Sequence, residues 1–285
     1  MNLCRVLAGT AAIAILFVIT GCNEPQPGAV KDEAMLAGRT AASFPAADED
    51  YFADMDGGYK RNTDSSAKLN ENEVKGRNTW IVWTGGNDRF WDYMANNTFG
   101  AFDLLKILSS NPHIGYCKDP DGKPFERSPI SALSEADCKA KGLSWFTPNR
   151  SNRFYWYGLI NEPCFEQAKG PDKYGLWLDR RVGNGPGCDK PDPFENEQKY
   201  PGVKYKARGK NLPVWSYYGK ATGIVGLRLF PNPDFDEVAE KKWLAAIKDN
   251  PDAFYTDPKF YNTKSLVRPY RVGMSCGFCH VGPAR

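Results

Sequence analysis

The chain lacks an apolar run long enough to cross a membrane. The segment Val6 to Thr20 falls short of the roughly 20 residues that a spanning helix needs. It also lacks an excess of charge of one sign: the formal net charge is +3, which gives no sign of a nucleic-acid partner. Internal repeats and low-complexity blocks are absent, and so are the short knuckle spacings of a four-cysteine zinc site. Regular secondary-structure patterns are sparse, with long Pro- and Gly-containing tracts, above all from Asn161 to Pro213. Disorder is excluded in turn, because 41% hydrophobic and 13% aromatic residues supply enough apolar surface for a stable core.

What is present begins with an export signal. A single cation, Arg5, precedes the apolar run Val6 to Thr20, and small residues lead to Cys22. Ile19-Thr20-Gly21-Cys22 is similar to a bacterial lipobox, in which the cysteine takes the lipid and becomes the first mature residue. The rival reading is an ordinary cleaved signal with an incidental Cys22. Asn23 is not the aspartate associated with inner-membrane retention, which favours the outer membrane. The expected order is a lipoprotein signal over residues 1–21, a polar tether over 22–77 and a folded domain over 78–285. Phe44, Tyr51 and Phe52 are the apolar exceptions in the tether that could dock it.

Cysteine use then separates into roles. Cys4 leaves with the signal and Cys22 takes the lipid, so six remain in an oxidising compartment. Four of these fall as Cys117 with Cys138 and Cys164 with Cys188, and local bridging would tie down two loops at about 3 kcal/mol each. Three connectivities are open to four cysteines, and a zinc site is the rival. The last two lie in Cys276-Gly277-Phe278-Cys279-His280, the spacing of covalent c-type haem attachment. Two thiols on a tight turn can bond the two vinyl groups of one haem, and the adjacent imidazole then lies under the iron as its ligand. A thioredoxin-type CxxC is the competing reading, and it would require a neighbouring βαβ unit.

The sixth iron ligand is not specified. The chain as given ends at Arg285, and upstream candidates are Met35, Met55, Met94, Met274 and His113. Met274 is too near the motif to reach the opposite face, and Met35 and Met55 fall in the tether. Met94 and His113 remain, against core packing and a solvated loop respectively. An open side would admit oxygen, peroxide or water.

The expected fold is mainly α with extensive irregular loops and a cytochrome c-like segment at the C-terminal end. A short apolar run, Trp80 to Trp83, and a turn, Thr84-Gly-Gly-Asn87, open the domain. A helix follows from Asp88 with Phe90, Trp91 and Met94 at helical spacing, and after a break at Asn96-Asn97-Thr98 the run Phe99 to Leu108 places Phe102, Leu105 and Leu108 on one face. These aromatics could line a haem pocket or simply form core. Ser134 with Asp137 and a stop at Gly142 marks a third helix, and Asp234 starts a fourth that ends at Asn250-Pro251. Ile224 to Phe230 reads as one strand. Lys199, Lys204, Lys206, Arg208 and Lys210 with Tyr200, Tyr205 and Trp215 form a basic, aromatic cluster. It reads as a solvated loop, or as a face for an acidic redox partner protein.

Phe99-Gly-Ala-Phe102, Gly158-Leu-Ile-Asn-Glu-Pro-Cys164, Cys188 before Pro191-Asp-Pro193, Gly223-Ile-Val-Gly-Leu-Arg228 with Phe230-Pro-Asn-Pro233, and Val272 to His280 carry a resemblance. Over roughly positions 78 to 283 the chain resembles the N-terminal half of bacterial rubber oxygenases, relatives of the dihaem cytochrome c peroxidases. The resemblance implies a mostly irregular and helical fold, a haem face open to oxygen and a disulfide like Cys164 to Cys188. It also implies a longer chain with a second haem motif, so that this sequence looks like a truncated fragment. It carries over no polymer substrate. Two classes of function follow: an electron carrier, or a haem-dependent oxygenase or peroxidase acting on a small oxidant. The lipobox reading is checked by Cys22→Ala, which should release the protein from membranes or block its processing, while unchanged membrane attachment would refute it.

Overall fold

The computed structural model describes residues 69–98, 102–119, 134–147, 149–183, 188–196, 198–199, 218–261 and 265–280. The signal, Cys22, Met35, Met55 and most of the basic cluster lie outside the described residues. Helix α1 spans Glu71–Val82 and begins with a reciprocal cap. The Asn70 side chain accepts from the backbone N–H groups of Asn72 and Glu73, and the Glu73 carboxylate accepts from that of Asn70 at 2.7 Å. Such a cap contributes about 1 kcal/mol. Residues 71–77, assigned to the tether from sequence, are therefore helical, and Trp80 to Val82 is the end of a helix.

The chain then turns through Gly85 and Gly86, both with positive φ, a conformation that costs glycine nothing. Helix α2, Asp88–Asn97, follows the turn and packs on the central sheet. Helix α3, Leu104–Ile107, is capped by Asp103 and buries Leu104 and Leu105. Strand β1, Tyr116–Lys118, pairs antiparallel with β2, Ser144–Phe146. Helix α4, Glu135–Ala140, lies between them with the Ser134–Asp137 capping box expected from sequence. Helix α5 is Arg153–Tyr157, and β3, Phe165–Glu166, pairs with β4, Arg180–Arg181. The largest sheet orders β5, Lys220–Ala221, against β6, Leu227–Pro231, against β7, Tyr270–Met274. Helix α6, Glu237–Ile247, is capped by Asp236, two residues later than expected; α7, Ala253–Thr256, and α8, Cys276–His280, follow, and short 3-10 turns lie at Pro193–Glu195 and Pro258–Phe260. Among the described residues no helix is long and apolar enough to cross a membrane.

The expectation of a mainly α fold is corrected by these sheets: the architecture is mixed α and β, with three small antiparallel sheets among the described residues. The strands run only two to five residues, too short to show a period-2 alternation. Their pairing is set by contacts distant in sequence. Cys117 and Cys138 are disulfide-bonded with Cα atoms 5.3 Å apart, and Cys164 and Cys188 likewise at 5.2 Å, which are the local pairs expected. The first bridge ties α4 to β1 and the second closes the loop that holds β3 and β4.

The core centres on Trp243, which meets Phe254 and Phe260 at ring-centroid distances of 5.4 and 5.2 Å. Leu104, Leu108, Leu176, Ile224 and Leu227 pack with them. Three Arg–Asp pairs are buried around this core. Arg268 grips Asp103 with two hydrogen bonds of 2.7 and 2.9 Å, Arg228 grips Asp192 with two of 3.2 Å, and Arg153 donates to Asp179 at 2.8 Å.

Glu162 is buried beside the second of these pairs. Burial raises its carboxyl to about 7, with Asp192 adding to the rise and Arg228 opposing it. Since the folded value lies above the unfolded one, near 4.5, its protonated form stabilises the fold fully below that value. The contribution is lost as pH rises through about 7. The span corresponds to about 3 kcal/mol. Glu162→Gln should therefore match wild type at pH 4 and exceed it in stability at pH 8 by up to that amount, as read from denaturant unfolding; an equal pH dependence in both proteins would contradict the assignment.

Candidate functional site

Helix α8 leaves β7 directly, with Ser275 as the joint. Its inner side is fixed by backbone contacts. Ser275 N–H donates to the Gly226 carbonyl at 2.8 Å, and the Ser275 hydroxyl donates to the Ile81 carbonyl of α1 at 2.7 Å. One residue earlier, the Asn87 side chain imitates a neighbouring strand. Its Oδ1 accepts from Met274 N–H at 2.9 Å, and its Nδ2 donates to the Met274 carbonyl at 2.6 Å. The approach to Gly226 is close enough that a Cβ there would stand 2.3 Å from Phe278 N and 2.6 Å from Phe278 Cα; its φ is +81°.

Held in this way, α8 buries Gly277 and part of Phe278 and leaves Cys276, Cys279 and His280 exposed. Positions i, i+3 and i+4 of a helix share one face, so both thiols and the imidazole are presented together. Both cysteines are unpaired. Trp80 of α1, itself 44% exposed, lies beside His280 with ring centroids 5.9 Å apart and planes inclined at 48°. The Met274 thioether sits 3.8 Å from the Cys279 sulfur.

No protein-family model, curated protein or solved structure matches the chain. The site is therefore read from its own chemistry. Paired sheets among the described residues are all antiparallel, so the βαβ surroundings of a thioredoxin-type CxxC are not found around α8. The zinc alternative also falls away among the described residues, where Cys117, Cys138, Cys164 and Cys188 are consumed in disulfides and no group of three or more metal-ligating side chains is assembled. The donor set on α8 suits a haem: two free thiols and an imidazole on one accessible face, flanked by an indole, with the opposite face tied down.

The candidate sixth ligands lie elsewhere. His113 Nδ1 is 2.5 Å from the Asp252 carboxylate, and its ring meets Trp177 edge-on at 5.5 Å. Asp252 also accepts from Asn111 and the Trp177 indole at 2.7 and 3.0 Å, so the imidazole belongs to that cluster. Met94 lies on α2 and is half-buried. Phe90 and Phe102, read as pocket or core, are 54% and 51% exposed. Sequence reasoning missed Asn87, Gly226 and Ser275 as supports. The turn Thr84-Gly-Gly-Asn87 was visible, but its partner is 187 positions away.

Gly226→Ala should place a side chain where no space exists and force an unfavourable φ, lowering stability by roughly 3 kcal/mol or more. Gly183→Ala, with open space around it, should change stability by less than about 1 kcal/mol. Equal denaturation midpoints for the two variants would show that α8 is not seated on Gly226.

Proposed function

We propose that the protein is an exported c-type haem protein that carries one covalent haem on Cys276 and Cys279, with His280 as an iron ligand. The observation that supports this most directly is the outward face of α8, where two unpaired thiols and an imidazole stand on a helix whose other side is fastened by Gly226, Ser275 and Asn87. Cys276 and Cys279 would hold the haem through thioether bonds and His280, on the same helix face, would ligate its iron, with the Trp80 indole beside the imidazole ring. When bound, haem supplies a one-electron couple and an iron able to engage small oxidants.

The protein belongs, in this reading, to periplasmic redox chemistry in the cell envelope, lipid-anchored through Cys22 with the outer membrane favoured, and exchanges electrons with a redox partner protein. Kinship with the rubber oxygenases and dihaem peroxidases forms part of the proposal and rests on the sequence pieces quoted above. A second reading, a haem-dependent oxygenase or peroxidase, is favoured by the placement of Met274, whose thioether lies 3.8 Å from the Cys279 sulfur, on the attachment side of the motif.

Cys276→Ala with Cys279→Ala should abolish the haem-stained band on a denaturing gel, and a stained band from the double variant would refute covalent attachment. In the wild type, carbon monoxide added to the reduced protein should shift the Soret band if the second reading holds. An unchanged spectrum would leave the electron carrier standing and remove the enzyme.

A further inference from the structure

A cleft of about 400 Å³ opens between α2 and the segment that leads into β7. Its walls include Arg89, Asp92, Tyr93, Asn96, Asn97, Asp234, Leu266 and Val267, with the buried Asn232, Arg268 and Arg271 among its lining. The volume lies in the range of small-molecule sites. A small void beneath it, lined by Trp91 and sharing Asp92, Arg268 and Arg271, continues the cleft inward.

The charges of this cleft are internally spent. Both terminal nitrogens of Arg268 are taken by Asp103, and Arg271 Nη2 donates to Asp234 at 2.7 Å. With Arg268 neutralised by Asp103 behind it, the lining leaves Arg89 and Arg271 against Asp92 and Asp234, so cations and carboxylates balance one for one. An anionic ligand would need a buried guanidinium with no carboxylate beside it, and a cationic ligand an excess of carboxylate, whereas Arg268 and Arg271 each lie beside a carboxylate.

Hydrogen-bonding capacity is nevertheless left over. Arg271 is more than nine-tenths buried, yet its Nε has no hydrogen-bond partner among the described residues and stands 3.6 Å from the Asp92 carboxylate, too far for a direct bond. The Trp91 indole N–H is likewise buried without a partner there. Leaving such donors unmet costs about 1–3 kcal/mol each, and a bridging oxygen would meet them. Asn96 and Asn97 each donate one N–H to a carbonyl of α2, at 2.9 and 2.7 Å, which leaves their amide oxygens as acceptors. Tyr93, 63% exposed, adds a flat aromatic surface to the wall.

A charge-balanced cleft, with amide and carboxylate groups beside apolar Leu266 and Val267 and walled by an open ring, suits a molecule with many hydroxyls on one side and C–H groups on another. We propose that this cleft binds a neutral polyhydroxylated ligand, a saccharide unit, with its C–H face laid on Tyr93 and its hydroxyls among Asp92, Asn96, Asn97, Asn232 and Arg271. This inference does not depend on the haem reading.

Saturation-transfer NMR on the full chain tests it, with glucose, maltose, N-acetylglucosamine and its β-linked dimer as probes and choline and citrate as charged controls. Transfer to the ring C–H protons of at least one saccharide is expected. It should persist in Tyr93→Phe, which keeps the ring, and weaken about tenfold in affinity in Tyr93→Ala, at an exposed position where circular dichroism should show an unchanged fold. Silence from all four saccharides, equal transfer in Tyr93→Ala, or binding of choline or citrate in their place would overturn the proposal.

Discussion

The Gly226 carbonyl receives the Ser275 N–H, and the space above its Cα is filled by the Phe278 backbone. The position of α8 follows from that contact. Strand β6 begins at Leu227 and pairs with β7 along its whole length, so the peptide that seats α8 is continuous with the partner of the strand from which α8 emerges. Asn87 completes the seat by pairing with Met274 as a further strand would. These supports act through backbone atoms or through residues outside the motif. The side chains at 276, 279 and 280 are thereby left without a structural duty on the inner face, and their identities can serve chemistry alone.

Long irregular tracts need constraints that ladders do not supply. Two disulfides act within loops, while the buried pairs Arg268–Asp103, Arg228–Asp192 and Arg153–Asp179 act between segments up to 165 positions apart. Such pairs add little net stability against an apolar replacement, because both charges are desolvated. Their effect is selective: an alternative packing that separates the partners strands a buried charge and costs about 3–5 kcal/mol. In a domain whose strands are only a few residues long, that penalty does what register does in a larger sheet.

The parts of this arrangement legible in the sequence are those written locally. The Ser134–Asp137 cap, the start of α2 at Asp88 and the two local cysteine pairs need only neighbours within a few tens of residues. The Cys276–His280 spacing is legible for the same reason. The mixed fold was not, because β1, β2 and β7 become strands only when partners 26–30 or 39–47 residues away arrive, whereas β6 overlaps the strand read at Ile224 to Phe230. Helix α1 was also misread: Lys75, Gly76 and Arg77 look like tether, and its apolar contacts come mainly from Val74, Ile81 and Val82. Asn87 and Arg271 were invisible as site residues, since their roles depend on meeting β7 and α2.

Helix α2 and strand β7 are common to both candidate sites. Asn87, at the start of α2, holds Met274 at the end of β7, where α8 begins; Asp92, Tyr93 and Asn96, farther along the helix, face the cleft that Arg271 closes. From Asn87 to Tyr93 the helix advances roughly 9 Å, so the sites are neighbours on one frame. Proximity alone does not couple them. Coupling requires an element with two arrangements that each site biases, whereas α2 is bound to β7 at its start and at its middle, through Asn87 with Met274 and through Asp92 beside Arg271. A frame fixed at two points transmits position rather than a change of state. Occupation of the cleft should leave the α8 face in place, and the chemistry at Cys276, Cys279 and His280 is then independent of what the cleft holds.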